Sequence, residues 1–192
     1  IRTEDTEEPW KLYQKKIYPD KINNWRNLIE KATPTSPKET YFDCAYNVLY
    51  FLDDINYDVA KDGCKKTNFN KSGIDLHEFM EEFIKIKDKH LKKKLKMKNE
   101  KKINNYKYEF KKICIQDVIT TLNPGHGTYL LYKHSNAGHA VIIARGVNNK
   151  FYIIDPQKKI YEMDLFKYIY ENKMATSYVI IKKPIVIEKK YA

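Results

Sequence analysis

The chain has 192 residues, of which 42% are hydrophobic and 14% aromatic, which is enough apolar material to bury one folded core. This composition excludes a fully disordered chain, and because no apolar run reaches about 18–20 residues, we expect no membrane span. Three cysteines without paired spacing argue against a disulfide scaffold or a zinc site. They favour a reducing compartment, whether the cytoplasm, a host cell or a virion, and we expect neither a metal nor a cofactor.

The formal net charge of +11 predicts attraction to acidic surfaces or nucleic acid. Much of this charge lies between Lys85 and Lys112, where lysines are dense and Tyr106 and Tyr108 stand among them. Two interpretations are open. The segment is either a solvated helix face or loop, or a surface for an acidic or nucleic-acid-associated partner.

The first predicted elements are two helices, Trp10–Tyr18 and Ile22–Ala32, in which apolar residues recur at helical spacing. The proline-containing segment Thr33–Pro37 then interrupts any helix. We therefore predict an N-terminal helical extension over residues 1–36 and a main domain over 37–192.

The next predicted element is a helix that begins at Cys44 and is apolar on most sides, as a buried central helix would be. It ends near Asp53, before a polar loop. Ser72 is a suitable N-cap for a second helix that reaches Ile86, and a short third helix is predicted over Ile115–Leu122.

Beyond this third helix the hydrophobic period changes to that of β-strands. Helices followed by strands predict an α+β fold, in which the helix that begins at Cys44 packs on a C-terminal antiparallel sheet. The expected strands, interrupted by one amphipathic helix over Leu165–Tyr170, are Thr128–Tyr132, Ala140–Ala144, Phe151–Ile154, Ile160–Met163 and Ser177–Ile181.

Three residues in this pattern have the types that nucleophilic catalysis requires. Cys44 stands at the start of a helix, where unpaired backbone N–H groups and the helix dipole stabilise a thiolate. His139 opens one strand and Asp155 closes the next, so the two lie at the same end of an antiparallel pair. A thiol, an imidazole and a carboxylate in this order predict a nucleophile, its base and the group that orients the base.

The turn between these two strands sets a condition on the hypothesis. Side chains alternate between the faces of a strand, so a two-residue loop at Asn148-Asn149 would place His139 and Asp155 on opposite faces. A common site requires an odd loop length or a bulge. Without it, the ordinary interpretation holds: a buried thiol, a histidine at a strand edge and a turn-forming aspartate.

Two other histidines compete for the role of the base. His126 lies in a glycine-containing turn and His134 ends a strand, but neither has an acidic residue at a comparable spacing. We therefore prefer His139.

The segments Gly138–Val141 and Tyr152–Gln157 resemble the histidine and aspartate strands of papain-like cysteine peptidases. They are most similar to the papain-fold toxin and bacteriocin-leader-processing branches of this superfamily. The segment Asp43-Cys44 also resembles the nucleophile position of those branches. The resemblance covers residues 40–52 and 128–182. It implies a papain-like fold, a catalytic domain over 37–192 and a triad of Cys44, His139 and Asp155.

One feature of the family pattern is absent. Papain-like enzymes usually carry a glutamine shortly before the cysteine, and its side-chain amide helps to bind the oxyanion. No glutamine stands at that place in this sequence. The candidates for oxyanion or substrate binding are Thr40, Asn136, Gly138 and Gln157.

Three functions remain open at this point. The resemblance implies a cysteine hydrolase, either a peptidase or an isopeptidase, that cleaves a protein or peptide substrate through an acyl-enzyme. A protein deamidase or acyltransferase would use the same triad and differ in the group released or in what attacks the acyl-enzyme. A non-enzymatic module would bind nucleic acid or protein through the basic segment between Lys85 and Lys112, and its binding to nucleic acid would depend strongly on salt.

Overall fold

The described residues fold into helices and an eight-stranded antiparallel sheet, which confirms the α+β class. No helix within the described ranges is long and apolar enough to cross a membrane. The computed structural model describes residues 10–18, 20, 44–52, 55–56, 58–60, 62, 79–81, 83–85, 87, 106–134, 137–156, 160–172 and 176–184.

The helix predicted to begin at Cys44, and the helices and strands predicted after Ile115, are confirmed with small changes of boundary. Helix α1 spans Cys44–Phe51, α2 spans Ile115–Thr121 and α3 spans Leu165–Asn172. The described residues among 79–87 are also helical, within or next to the helix predicted to reach Ile86. The strands are β1 Lys11–Leu12, β2 Lys15–Lys16, β3 Tyr106–Ile113, β4 His126–His134, β5 Ala137–Arg145, β6 Phe151–Asp155, β7 Ile160–Asp164 and β8 Thr176–Pro184.

Helix α2 ends where the sequence predicts, because a proline-glycine turn follows it. The backbone N–H of His126 donates to the carbonyl of Asn123 at 3.1 Å, which closes a four-residue turn. Gly125, the third residue of that turn, has a φ of 74°, a left-handed conformation that glycine adopts without a steric penalty. The turn leads directly into β4.

The strands form one sheet in the order β1-β8-β4-β5-β6-β7, with β3 paired to β8 and β2 paired to β4. All pairs are antiparallel. The central strands are buried on both faces, which explains why they are almost continuously apolar in sequence.

Each face of the sheet supports its own hydrophobic cluster. On one face, α1 and the helical residues Phe79 and Phe83 pack on Tyr129, Ile142 and Ile154. The other face carries α2 and α3, and its buried residues include Leu130, Tyr132, Val141, Ile143, Ile153, Leu165 and Tyr168. The sheet is therefore the middle layer between two helical layers.

The helix predicted over Trp10–Tyr18 is wrong, because this segment forms β1 and β2. Strands β4 and β8 pair only from Leu131 to Lys133 on the β4 side, and the N-terminal segment pairs with both strands beyond that point. The N–H of Tyr13 donates to the carbonyl of Ile180 at 2.9 Å, and the N–H of Ile17 donates to the carbonyl of Gly125 at 2.8 Å. These backbone hydrogen bonds outweigh the local helical pattern.

The predictions about the N-terminal extension and about the lysine-rich segment have different outcomes. The predicted helix Ile22–Ala32 and the boundary between residues 36 and 37 lie outside the described residues, so the division into an extension and a catalytic domain stays a prediction. Part of the lysine-rich segment, interpreted as a helix face or loop, is the strand β3. Tyr108 and Phe110 alternate with polar residues, as expected of a strand with one buried face. Both pack against the hydrophobic cluster on the face of the sheet that carries α1.

The turn between β5 and β6 has three residues, Val147 to Asn149. The N–H of Gly146 donates to the carbonyl of Lys150 at 2.8 Å, and the N–H of Asn149 donates to the carbonyl of Gly146 at 3.0 Å. Asn149 has a φ of 65°. This is the common three-residue hairpin, a tight turn followed by one left-handed residue, and asparagine tolerates that conformation better than most residues.

We expect Asn149→Val to lower the free energy of unfolding by about 1–2 kcal/mol, because a β-branched residue is strained in the left-handed region. Asn149→Gly, which adopts the same conformation freely, should leave stability within about 0.5 kcal/mol of the wild type. Urea denaturation of the two variants measures the difference. Equal stabilities would show that the left-handed residue does not hold this turn.

Candidate active site

The candidate site lies at the end of the sheet where β5 begins and β6 ends. Residues Ile142 and Ile154 are paired across these strands, and the three-residue loop keeps this register. His139 and Asp155 therefore lie on the same face, the one that carries Val141 and Ile153. The odd loop length required for a common site is present.

The imidazole of His139 and the carboxylate of Asp155 form a buried hydrogen-bonded pair. His139 Nε2 lies 2.7 Å from Asp155 Oδ2. The Asp155 side chain is fully buried and that of His139 is 8% exposed. A charge so far from water is costly unless it is paired, and the short contact supplies the partner.

Cys44 reaches the same imidazole from the other helical layer. It is the first residue of α1, which packs against β5. Its side chain is partly exposed and lies close enough to the ring of His139 to raise the pKa of that ring. Because Nε2 is taken by Asp155, the remaining ring nitrogen, Nδ1, is the one available to the sulfur.

The charge environment favours a protonated His139. Burial alone would lower its pKa, but the hydrogen bond to Asp155, the negative charge of that carboxylate and the nearby Cys44 raise it from 6.5 to about 9. At neutral pH the ring is therefore an imidazolium, with a carboxylate on one side and a sulfur on the other.

Two buried tyrosines extend the site beyond Asp155. The hydroxyl of Tyr168, on α3, donates to Asp155 Oδ2 at 3.2 Å. The hydroxyl of Tyr132, on β4, lies 2.7 Å from that of Tyr168. Burial raises the pKa of Tyr132 to about 12, and burial with the nearby charge of Asp155 also raises the pKa of Tyr168, so both hydroxyls keep their protons.

The ring of Tyr132 also packs against His139. The two ring centroids are 5.6 Å apart and the planes are nearly perpendicular, at 83°. Tyr132 and His139 are paired residues of β4 and β5, so the contact follows from the strand register. Neither tyrosine is predicted by the sequence pattern. Tyr168 lies on the buried side of a correctly predicted amphipathic helix, but nothing in the pattern separates a hydrogen-bonding tyrosine from a core tyrosine.

The structure thus brings Cys44, His139 and Asp155 together. Of the two rival histidines, His134 pairs with Ala137 at the same end of the β4–β5 hairpin as His139, whereas His126 is separated from the site. His126 pairs with Arg145 at the far end of the β4–β5 hairpin, where its Nδ1 contacts the carbonyl of Pro124. Cys114 is exposed before α2.

The predicted oxyanion and substrate-binding residues remain predictions. Gly138 lies in β5 beside His139 and pairs with Lys133. Thr40, Asn136 and Gln157 lie outside the described residues. Within the part of the chain that the structure describes, no group of three His, Cys, Asp or Glu side chains could hold a metal ion.

The arrangement can form a nucleophile, hold it beside a proton donor and keep that donor in one orientation. Comparisons with known proteins add no relative: no protein-family model matches the sequence, and no curated protein matches it significantly. The chemistry of this site must therefore be inferred from its own geometry.

Proposed function

We propose that this protein is a cysteine hydrolase of papain-like architecture, a peptidase or isopeptidase, with Cys44, His139 and Asp155 as its triad. The observation that carries the proposal is one buried imidazole that is hydrogen-bonded to a carboxylate and lies beside a thiol. The position of the cysteine at the start of a helix that packs on an antiparallel sheet supports it further.

The reaction follows from these positions. The Cys44 thiolate attacks the carbonyl carbon of an amide, a C–S bond forms and the carbonyl electrons move to the oxygen. When the C–N bond breaks, the leaving nitrogen takes the proton from His139 and a thioester remains. Water then attacks the thioester, His139 accepts its proton and the thiolate leaves, which releases a carboxylic acid.

Asp155 supports both steps without reacting itself. Its Oδ2 accepts the hydrogen bond from His139 Nε2 and so directs Nδ1 towards Cys44. The negative charge of Asp155 also stabilises the imidazolium, which in turn stabilises the thiolate.

The substrate in this proposal is a protein or peptide, and the charge of the chain favours an acidic one or one associated with nucleic acid. Lysines on β3 and β8 contribute to this charge. Glu109 offsets part of it, because its carboxylate lies 2.9 Å from Lys107 and 3.1 Å from Lys183.

Hydrolysis can be tested by incubating the protein with a library of capped peptides in water enriched in oxygen-18. A peptidase should produce new amino termini and new carboxyl termini that carry the heavy oxygen, because water attacks the acyl-enzyme. Mass spectrometry should also detect an acyl adduct on Cys44 and none on the exposed Cys114. Cys114→Ala is the matched control and should behave like the wild type.

The other outcomes of this experiment identify the alternatives. Ammonia release with heavy oxygen in a side chain and no chain cleavage would replace the peptidase with a deamidase. New amide bonds without heavy oxygen would indicate a transferase. No product, together with equal alkylation rates of Cys44 and Cys114, would overturn the enzyme proposal.

A further inference from the structure

Tyr168 and Tyr132 lie beside the candidate triad, yet none of the steps above uses them. Both side chains are fully buried, where a hydroxyl needs hydrogen-bond partners. Tyr168 finds Asp155 and Tyr132 finds Tyr168. The two tyrosines come from different elements, β4 and α3, so the contact depends on the tertiary fold.

The direction of these hydrogen bonds can be deduced. An ionised carboxylate only accepts, so the single hydroxyl proton of Tyr168 points to Asp155. The hydroxyl of Tyr132 must then donate to the oxygen of Tyr168, which lies 2.7 Å away. The protons therefore run from Tyr132 to Tyr168 to Asp155, and a hydroxyl that accepts a hydrogen bond becomes a better donor.

Two donors converge on one oxygen of Asp155. His139 Nε2 is 2.7 Å from Oδ2 and the Tyr168 hydroxyl is 3.2 Å from the same atom. The positive end of the hydroxyl dipole stabilises the carboxylate, but it also faces the imidazolium and opposes its charge. The Tyr168 hydroxyl thus competes with His139 for the electron density of Oδ2.

We infer that Tyr168, supported by Tyr132, is a positioning residue that acts through Asp155. Its hydroxyl fixes the carboxylate and limits how tightly the carboxylate holds the proton on His139. The role rests on the proposed function, since a catalytic acid must release its proton to the leaving nitrogen.

The competition between Tyr168 and His139 for Asp155 matters because His139 already holds its proton strongly. With a pKa of about 9, His139 is a weaker acid than an ordinary histidine. A further rise would slow transfer to the leaving group, because catalytic acids work best when their pKa is near the working pH. The titratable groups that face His139 are Cys44 from α1, Tyr132 from β4 and Asp155 from β6, and Tyr168 from α3 acts through Asp155.

The test is an NMR titration of the His139 ring, assigned by the signal lost in His139→Gln. It is performed in Cys44→Ala protein, so that the thiol does not titrate with the ring. In Tyr168→Phe the pKa of His139 should rise by about 0.5–1, because the competing donor is lost. Tyr132→Phe should give a smaller rise in the same direction, because it only weakens the Tyr168 donor.

Tyr170→Phe is the matched control, since Tyr170 lies on the same helix and its side chain is 85% exposed. It should leave the titration unchanged. A His139 pKa that stays constant or falls in Tyr168→Phe would overturn the inference, because simple loosening of the site would weaken the hydrogen bond between His139 and Asp155. Tyr132→Phe decides the question in the same way if Tyr168→Phe does not fold.

A kinetic measurement separates this inference from the proposed function. With Cys44 intact, kcat near neutral pH should fall by about two- to threefold in Tyr168→Phe, and the alkaline limb of the pH profile should move upwards. The NMR titration requires no substrate. If no hydrolysis is found, the titration still decides the role of Tyr168. If hydrolysis is found without a change of titration, only the role of Tyr168 fails.

Discussion

In Cys44→Ala, hydrolysis is expected to fall by at least about 10³-fold while the protein remains folded. The proposed mechanism has no substitute for the sulfur, because the acyl intermediate is attached to it. The truncation removes only one atom from a partly exposed position, so the core around α1 should be undisturbed. Initial rates on a cleaved peptide and urea unfolding measure the two effects separately.

His139→Ala tests whether Cys44 and His139 act as a unit. We expect a loss of activity similar to that of Cys44→Ala, and the double variant should be little worse than either single one, because the thiolate needs the imidazole and both proton transfers by His139 occur only in steps that require the sulfur. Cys114→Ala is the control and should retain full activity. Activity retained in Cys44→Ala, or losses that simply multiply in the double variant, would contradict the triad.

In Asp155→Ala, the free energy of unfolding at neutral pH is expected to fall by about 3–5 kcal/mol. The substitution removes the acceptor of two buried donors, His139 Nε2 and the Tyr168 hydroxyl. The loss of a buried hydrogen bond to a charged acceptor destabilises the fold at each of these donors. The variant should also lose most of its activity, since the ring of His139 would lose the hydrogen bond that directs Nδ1 towards Cys44.

The pH dependence of this loss has a definite sign. The pKa of His139 is raised in the folded protein from 6.5 to about 9, so the protonated ring contributes stability that is complete below pH 6.5. That contribution, about 3 kcal/mol, disappears as the pH rises through 9. The difference between wild type and Asp155→Ala should therefore shrink between neutral pH and about pH 10.

Urea denaturation across this pH range measures the effect, and Asp155→Asn is the matched control. Its side-chain carbonyl still accepts the hydrogen bond from His139, but the charge is gone, so its stability should lie between those of the other two proteins. A constant difference between wild type and Asp155→Ala across the range would mean that the His139–Asp155 pair is not ionised in the folded protein.

The three residues of the proposed triad could be singled out because each has a side-chain type with special chemistry and a place at the end of an element. Whether they meet could not be predicted, since that depended on the loop between β5 and β6. The segment Gly146–Lys150 is compatible with loops of two or three residues. Only the left-handed conformation of Asn149 and its neighbouring hydrogen bonds decide between them.

The remaining surprises arise from contacts between residues that are distant in sequence. Tyr132 and Tyr168 look like ordinary core residues until β4 and α3 bring their hydroxyls within 2.7 Å. The segment around Tyr13 has helical spacing, but its backbone groups find partners on β8 and β4, far along the chain. Local propensity is a weak prior in such segments, because tertiary pairing supplies most of their stability.

The pairing of β1 with β8 also has a consequence for the order of assembly. During synthesis, residues 10–18 leave the ribosome before their partner strand Thr176–Pro184, which lies more than 150 residues further along the chain. Cys44, His139 and Asp155 are all available before that strand arrives. The nascent chain therefore carries these three side chains for a time before β8 can pair with β1, β3 and β4, and this long-range pairing is a late step in forming the sheet.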